Sequence, residues 1–165
     1  MMGIEEYLCL ELLDFSSDLG QIIRRPAGKA TFNTEILSYW DGIASWEIAG
    51  KTGIGWFELK RRPYTGNEVE RHLLTPEALL CHQGGAACLV GKPKDPGTLT
   101  RADFQAFFLE SGQGIVFSPG VWHALPFPVT AKAVFWVIFR QGTAQNDLEV
   151  LNLEKQSGIQ FQITF

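Results

Sequence analysis

The sequence has no long hydrophobic segment and few cysteines. Its longest apolar run, Ala133 to Phe139, has seven residues, whereas a helix that crosses a membrane needs ~20. The three cysteines, Cys9, Cys81 and Cys88, form no CxxC pair. This spacing argues against a zinc site or a disulfide framework and predicts three reduced thiols.

Basic residues are also few. Fourteen Lys and Arg stand against 18 Asp and Glu, which gives a net charge of −4, and a nucleic-acid binder usually carries the opposite sign. The first fifteen residues are acidic where a secretion signal would be basic. We therefore expect a soluble, cytoplasmic protein with neither a nucleic-acid nor a membrane partner.

The composition indicates one folded β domain over residues 1–165. Hydrophobic residues make up 45% of the chain, and 17 glycines, 8 prolines and 12% aromatics favour strands separated by tight turns. Asp41-Gly42 is expected to join two strands of a hairpin, and Thr75-Pro76-Glu77 is expected to begin a short helix or turn that ends at Leu80. A loop is expected at Lys92–Gly97. The predicted strands are Glu5–Phe15, Phe32–Trp40, Ala44–Ile48, Ile54–Lys60, Val69–Leu74, Ala86–Gly91, Phe104–Leu109, Ile115–Phe117, Ala131–Arg140 (internal, because both its faces are apolar) and Ile159–Phe165.

Two spaced patterns contain two of the three histidines. The first is Gly66-x3-Glu70-x-His72-x4-Glu77-x6-Gly84, and the second is Gly112-x6-Pro119-Gly120-x2-His123. Residues two apart on a strand share a face, so Glu70 and His72 can point into the same interior. Two alternatives stay open: Glu70 and His72 could form a surface pair, and Glu77 could cap a helical turn. His82 has no motif around it and is expected at the surface.

These patterns resemble the two cupin motifs, with Glu70 in place of the first histidine. The resemblance predicts an all-β fold, a cupin-like antiparallel β-barrel (a double-stranded β-helix or jelly roll) with few short helices. Two imidazoles and one or two carboxylates suit a borderline divalent ion with open positions for substrate. The expected metal ligands are Glu70, His72, Glu77 and His123, and the expected ion is nickel, manganese or zinc.

Further segments resemble ureidoglycolate lyase. They are Glu70-Arg71-His72, Gly120-Val121-Trp122-His123 with Pro126-Phe127 behind it, Phe139-Arg140-Gln141-Gly142, Phe15–Ile23 and Phe32-Asn33. The resemblance implies a cupin barrel, usually a homodimer, that splits ureidoglycolate into glyoxylate and urea with stimulation by a metal. It also implies a small carboxylate as substrate. The chain departs from the family pattern at Phe139, where an acidic residue is usual, and at Leu73–Glu77.

The chemistry of such a cleavage suggests a role for each residue. His123 or His72 would be the general base, and Glu70 would orient that imidazole or ligate the metal. Arg140 would bind the substrate carboxylate, unless it is an ordinary arginine at a strand end. Arg62 would face the interior or the solvated rim, and Trp122 would line the pocket or fill the core.

Three classes of function remain open on the sequence. The first is the lyase. The second is another small-molecule cupin enzyme, such as an isomerase or a dioxygenase that acts on a carboxylated or sugar substrate, although an iron dioxygenase usually needs more histidine ligands than this chain offers. The third is a cupin that binds a small acid without turning it over. The Phe139 and Glu77 departures keep the last two classes open.

Overall fold

The computed structural model describes residues 3–93 and 100–165. Within them, two short α-helices, α1 (Thr143–Asn146) and α2 (Leu153–Ser157), and two 3-10 helices, Leu12–Asp14 and Arg101–Asp103, accompany sixteen strands. The strands are β1 Gly3–Leu10, β2 Gly20–Ile23, β3 Phe32–Asn33, β4 Ser38–Tyr39, β5 Thr52–Lys60, β6 Thr65–Gly66, β7 Glu68–Arg71, β8 Glu77–Gln83, β9 Gly85–Gly91, β10 Phe104–Glu110, β11 Gly114–Phe117, β12 Trp122–His123, β13 Phe127–Pro128, β14 Lys132–Arg140, β15 Glu149–Asn152 and β16 Ile159–Thr164.

Two large sheets make up the structure. The first has the order β15-β7-β12-β9-β10-β1-β16-β6, with β13 also paired to β9, and the second has the order β2-β11-β8-β14-β5. Most neighbours are antiparallel, while β1 runs parallel to both β10 and β16. An all-β fold with few short helices is therefore confirmed.

The main core lies between the two sheets. Phe107 on β10 faces Phe117 on β11 and Phe135 on β14, and all three are almost completely buried. A second apolar cluster, which includes Leu89, Phe127 and Phe161, packs on the other side of the nine-stranded sheet. Both faces of that sheet are thus buried over much of its area, which explains why β9 is buried at every residue.

The prediction for residues 76–80 was wrong. Glu77 begins strand β8, which pairs with β11 on one side and β14 on the other. Pairing on both sides outweighs the local helix signal of Pro76, because each residue of an internal strand shares in two ladders of hydrogen bonds. The same topology places β14 inside its sheet, between β8 and β5, as its two apolar faces indicated.

The hairpin turn also differs from the prediction. Strands β3 and β4 form a two-stranded sheet, and their turn begins at Thr34, whose Oγ1 accepts hydrogen bonds from the backbone N–H groups of Ile36 and Leu37. Residues 44–48 are not a strand, because the backbone of Ser45 pairs with the side chain of Gln21 instead. The loop is predicted at residues 92–97, and of these only 92 and 93 are among the described residues.

The outer face of the five-stranded sheet exposes large apolar side chains. Trp56 and Trp136 are register partners on β5 and β14, with ring centroids 4.5 Å apart, and both are exposed. The homodimer implied by the resemblance stays a prediction. In the described residues, no helix is long and apolar enough to span a membrane. All three cysteines are free thiols.

Gly84, in the β8–β9 turn, is expected to be far less tolerant of substitution than Gly112. Both have a positive φ, +80° and +86° respectively, but a Cβ on Gly84 would lie 2.6 Å from the Lys132 carbonyl oxygen, whereas a Cβ on Gly112 would meet nothing within 4 Å. Gly112→Ala should therefore cost only the backbone strain, about 1 kcal/mol. Gly84→Ala should cost more than about 2 kcal/mol. Urea unfolding measures both, and equal costs would contradict the close contact at Gly84.

Candidate metal and active site

Four ionisable side chains from both sheets meet at one end of the core. Glu70 on β7 and His123 on β12 are cross-strand partners in the nine-stranded sheet, and His72 follows immediately after β7. Glu77, at the start of β8, comes from the five-stranded sheet. His72, Glu77 and His123 are buried, while the Glu70 side chain is 27% exposed.

Asp147 holds His72 in one orientation. The Nδ1–H of His72 donates to the Asp147 carbonyl oxygen at 2.6 Å. The Asp147 carboxylate accepts the backbone N–H groups of Leu73 and Leu74, both at 2.9 Å. Since Nδ1 carries the donated proton, the neutral ring presents the Nε2 lone pair to the other site residues.

His123 is fixed in a similar way. Its Nδ1–H donates to the Val121 carbonyl oxygen at 3.2 Å, and its ring stacks on Phe117, with centroids 4.5 Å apart and an interplanar angle of 8°. The N–H of Gly120 donates to the His72 carbonyl oxygen at 2.7 Å. The two sequence patterns are thus tied together by the backbone, and the Nε2 of His123 also faces inward.

The inward-facing nitrogen and oxygen atoms lie close together, but they do not meet one another's need for hydrogen bonds. Glu77 Oε2 is 2.9 Å from His72 Nε2 and 3.3 Å from His123 Nε2, and Glu70 Oε1 is 3.7 Å from His123 Nε2. Within residues 3–93 and 100–165, Glu77 Oε2 and His123 Nε2 have no hydrogen-bond partner. Lone pairs and carboxylates that face each other in a buried site require a positive charge between them.

Burial and the neighbouring charges together shift the pKa values of all four groups. Burial acts to raise the pKa of Glu77, but the nearby His123 and His72 outweigh it and hold that pKa at about 2. Burial acts to lower the pKa of His72 and His123, yet Glu77 leaves both raised. Burial raises the pKa of Glu70. Without a metal, protons on the imidazoles would supply the missing positive charge.

The donor set fits one divalent cation. Donor atoms of Glu70, His72 and His123 all lie within 4.8 Å of one another, and Glu77 Oε2 lies against both imidazoles. Imidazole nitrogens with carboxylate oxygens suit zinc, nickel or manganese. The unpartnered Glu77 Oε2 and His123 Nε2 are the atoms that such an ion would satisfy.

Two cavities meet at Glu70 and His123. We call the first the outer groove, a cavity of about 270 Å³ with both polar and apolar side chains in its wall, lined by Arg62, Thr65, Gly66, Asn67, Glu68, Val69, Glu70, His123, Ala124, Leu125, Phe127, Val150 and Phe161. We call the second the inner chamber, a cavity of about 180 Å³ lined by Phe57, Glu70, His72, Glu77, Leu79, His123, Leu125, Pro126, Val137, Phe139, Ala144 and Leu148. A substrate at the cluster would therefore have a cavity of mixed polar and apolar lining on one side and a mostly apolar one on the other.

The two arginines singled out in the sequence lie in different places. Arg62 lines the outer groove, where its guanidinium donates to the carbonyl oxygens of Leu125 and Pro126 at 2.8 Å and lies 4.0 Å from the centroid of the Phe127 ring. Arg140 lines neither cavity, and its Nη2 donates to Asn146 Oδ1 at 2.9 Å.

Trp122 and His82 also lie outside both cavities. Trp122 belongs to the second apolar cluster, with the guanidinium of Arg71 at 4.4 Å from its ring centroid. His82 is exposed and lies against Trp56 on the outer face of the five-stranded sheet. The structure therefore brings together Glu70, His72, Glu77 and His123, with Arg62 nearby.

Sequence reasoning gave no role to Asp147 or Phe117. Asp147 lies 75 positions from His72, and nothing in its local sequence distinguishes it from an ordinary polar residue of a helix end. The sequence predicts Phe117 on a strand, but its ring meets His123 because the chain crosses from β11 in one sheet to β12 in the other. Both contacts depend on tertiary packing, which the local sequence does not report.

Replacing Glu77 with Gln is expected to lower the pKa of both His72 and His123 in protein stripped of metal. The carboxylate is what outweighs burial at these rings, so its loss leaves burial unopposed. Imidazole chemical shifts followed by NMR across pH measure both values. Glu149→Gln, which removes an exposed carboxylate paired with Arg71, is the matched control. Unchanged imidazole pKa values in Glu77→Gln would contradict the electrostatic account.

Comparison with solved structures identifies the fold. The chain is similar to the 3,4-ketoisomerase QdtA from Thermoanaerobacterium thermosaccharolyticum, in complex with TDP-4-keto-6-deoxyglucose, with a TM-score of 0.53 and 14% identity over 82% of this chain and 88% of that chain. A second similar structure is oxalate decarboxylase OxdC from Bacillus subtilis, with a TM-score of 0.45 and 15% identity over 64% of this chain and 25% of that one. The fold of the chain is that of the cupins.

Comparison of sequences identifies the family. No curated protein sequence matches the chain significantly. The sequence model of the ureidoglycolate lyase family, however, matches residues 19–160. This range contains Glu70, His72, Glu77 and His123 together with Arg62. The match spans most of the chain, and the protein belongs to the ureidoglycolate lyase family.

Proposed function

We propose that the protein is a lyase that cleaves the carbon–nitrogen bond of ureidoglycolate and releases glyoxylate and urea. The observation that carries this proposal is the convergence of Glu70, His72, Glu77 and His123 beside a groove that contains Arg62. Membership of the family supports it as well. The reacting carbon of ureidoglycolate bears a hydroxyl group, a ureido nitrogen and a carboxylate. Cleavage needs a base for the hydroxyl proton, an acid for the leaving nitrogen and a cation for the carboxylate.

Glu70 is the group that we assign to proton transfer. Its side chain is partly exposed and lies in the wall shared by both cavities. Burial raises its pKa, which makes the carboxylate a better acceptor for the hydroxyl proton and lets it return that proton to the leaving nitrogen. As the carbonyl of glyoxylate forms, the carbon–nitrogen bond breaks and urea departs.

The two imidazoles, which the sequence offered as general bases, are assigned to holding positive charge. Both Nε2 atoms face Glu77 at the buried end of the cluster. His72, His123 and the Oε2 atom of Glu77 would hold a nickel, manganese or zinc ion, which leaves Glu70 at the edge of the cluster free to move the proton. Such an ion would act as a Lewis acid that makes the substrate hydroxyl more acidic.

Arg62 is assigned to the substrate carboxylate. Among the described residues that line the outer groove it is the one arginine or lysine, beside Glu70 and His123, and two backbone carbonyls and the Phe127 ring fix its guanidinium in place. A fixed guanidinium can bind a carboxylate without further loss of side-chain freedom. Arg140, whose guanidinium is bonded to Asn146, receives no role in this proposal.

Release of glyoxylate and urea from ureidoglycolate tests the proposal. Protein stripped of metal should be slow, and restoring nickel, manganese or zinc should raise the rate above the spontaneous reaction. His123→Ala should lower the rate at least about 100-fold, since it removes a group that holds the charge of the site. His82→Ala, the matched change at an exposed histidine outside the cluster, should keep full activity.

Two results would overturn the assignment. Wild-type turnover by His123→Ala would remove the cluster from the reaction. No release with any of the three metals would mean that the chain has kept the fold without this activity, as in a cupin that binds a small acid without turning it over.

A further inference from the structure

The inner chamber has a composition that ureidoglycolate does not require. Apart from Glu70, His72, Glu77 and His123, all of its lining residues are apolar, and none of the described ones is a lysine or an arginine. Phe139 and Val137 on β14 and Phe57 on β5 form much of the wall. A urea group placed against this wall would lose its hydrogen bonds to water and gain few in return.

The chamber is also large enough for an apolar group. Its volume is about 180 Å³, and an apolar cavity of ~150 Å³ in another protein takes up benzene. Its mouth carries Leu125 and Leu148, which are 51% and 43% exposed, so a ligand can enter past them. Phe139 lies edge-on to His72, with ring centroids 5.8 Å apart, which puts the apolar wall directly beside the cluster.

We propose that the preferred substrates of this site are N-acyl-2-hydroxyglycines whose acyl group carries an apolar substituent of about the size of a phenyl ring. The inference rests on the proposed function and specifies its substrate class. The carboxylate would lie toward Arg62 in the outer groove, the hydroxyl-bearing carbon at the cluster, and the acyl substituent in the inner chamber.

The chemistry is the same as for ureidoglycolate. The hydroxyl proton leaves, the C–O bond becomes the carbonyl of glyoxylate, and the carbon–nitrogen bond breaks. The nitrogen takes up the proton, so that the second product is a primary amide in place of urea. Atoms and charge balance without an oxidant, a reductant or a second substrate.

Binding of two stable analogues tests the chamber independently of turnover. Hippurate (N-benzoylglycine) and N-carbamoylglycine differ only in a phenyl ring against an amino group, and neither has the hydroxyl group needed for cleavage. Calorimetry with manganese restored should show hippurate binding at least about tenfold more tightly. In parallel, 2-hydroxyhippurate and ureidoglycolate both release glyoxylate, and 2-hydroxyhippurate should have the higher kcat/KM.

Leu148→Asn should reduce the ratio of the two affinities, because it places an amide at the mouth of the chamber. Leu13→Asn is the matched control at an exposed leucine outside both cavities, and it should leave the ratio unchanged. Thermal melting of both variants checks that they are folded.

Each result decides between the two proposals. Hippurate that binds no better than N-carbamoylglycine would overturn the apolar substrate class even if ureidoglycolate is cleaved. Tight hippurate binding without cleavage of either hydroxy acid would instead keep the preference of the chamber and overturn the lyase.

Discussion

The contact between Glu77 and the two imidazoles determines how the rest of the site is built. Glu77 Oε2 lies 2.9 and 3.3 Å from the Nε2 atoms of His72 and His123 in a buried environment. Both rings donate their Nδ1–H groups to backbone carbonyls, so their lone pairs point at the carboxylate. This arrangement is stable only with positive charge at its centre, either as protons or as a metal ion.

The cupin fold places these groups by joining two sheets at one end. Glu70 and His123 are partners across adjacent strands, while Glu77 comes from the opposite sheet. The Gly120 N–H to His72 carbonyl hydrogen bond links the two motifs. Because each side chain is fixed by a strand or by a backbone hydrogen bond, little reorganisation is needed when a cation or a substrate arrives. Arg62 lies in the outer groove, whereas the inner chamber has an apolar wall. In the proposed function, this difference directs the substrate carboxylate to the outer groove.

The composition predicted a β domain, and the resemblance of the two motifs to those of cupins predicted the barrel and the four clustered residues. Strand alternation added only that Glu70 and His72 share a face. The sequence could not predict partners that depend on long-range register. Asp147 reaches His72 only through chain packing, and the apolar wall of the inner chamber combines β5, β8 and β14. The local signal at Pro76 indicated a helix, yet pairing of β8 on both sides made a strand. Arg140 ends an internal strand as expected, but its guanidinium bonds to Asn146 and lines neither cavity.

The central claim is that the buried carboxylate and imidazoles form a site for one cation. Anomalous diffraction from crystals grown with manganese tests it most directly. The account predicts a single peak within about 2.0–2.3 Å of the Nε2 atoms of His72 and His123 and of a carboxylate oxygen. A crystal with no peak at this position, in which the two imidazoles instead donate hydrogen bonds to Glu70 and Glu77, would contradict it.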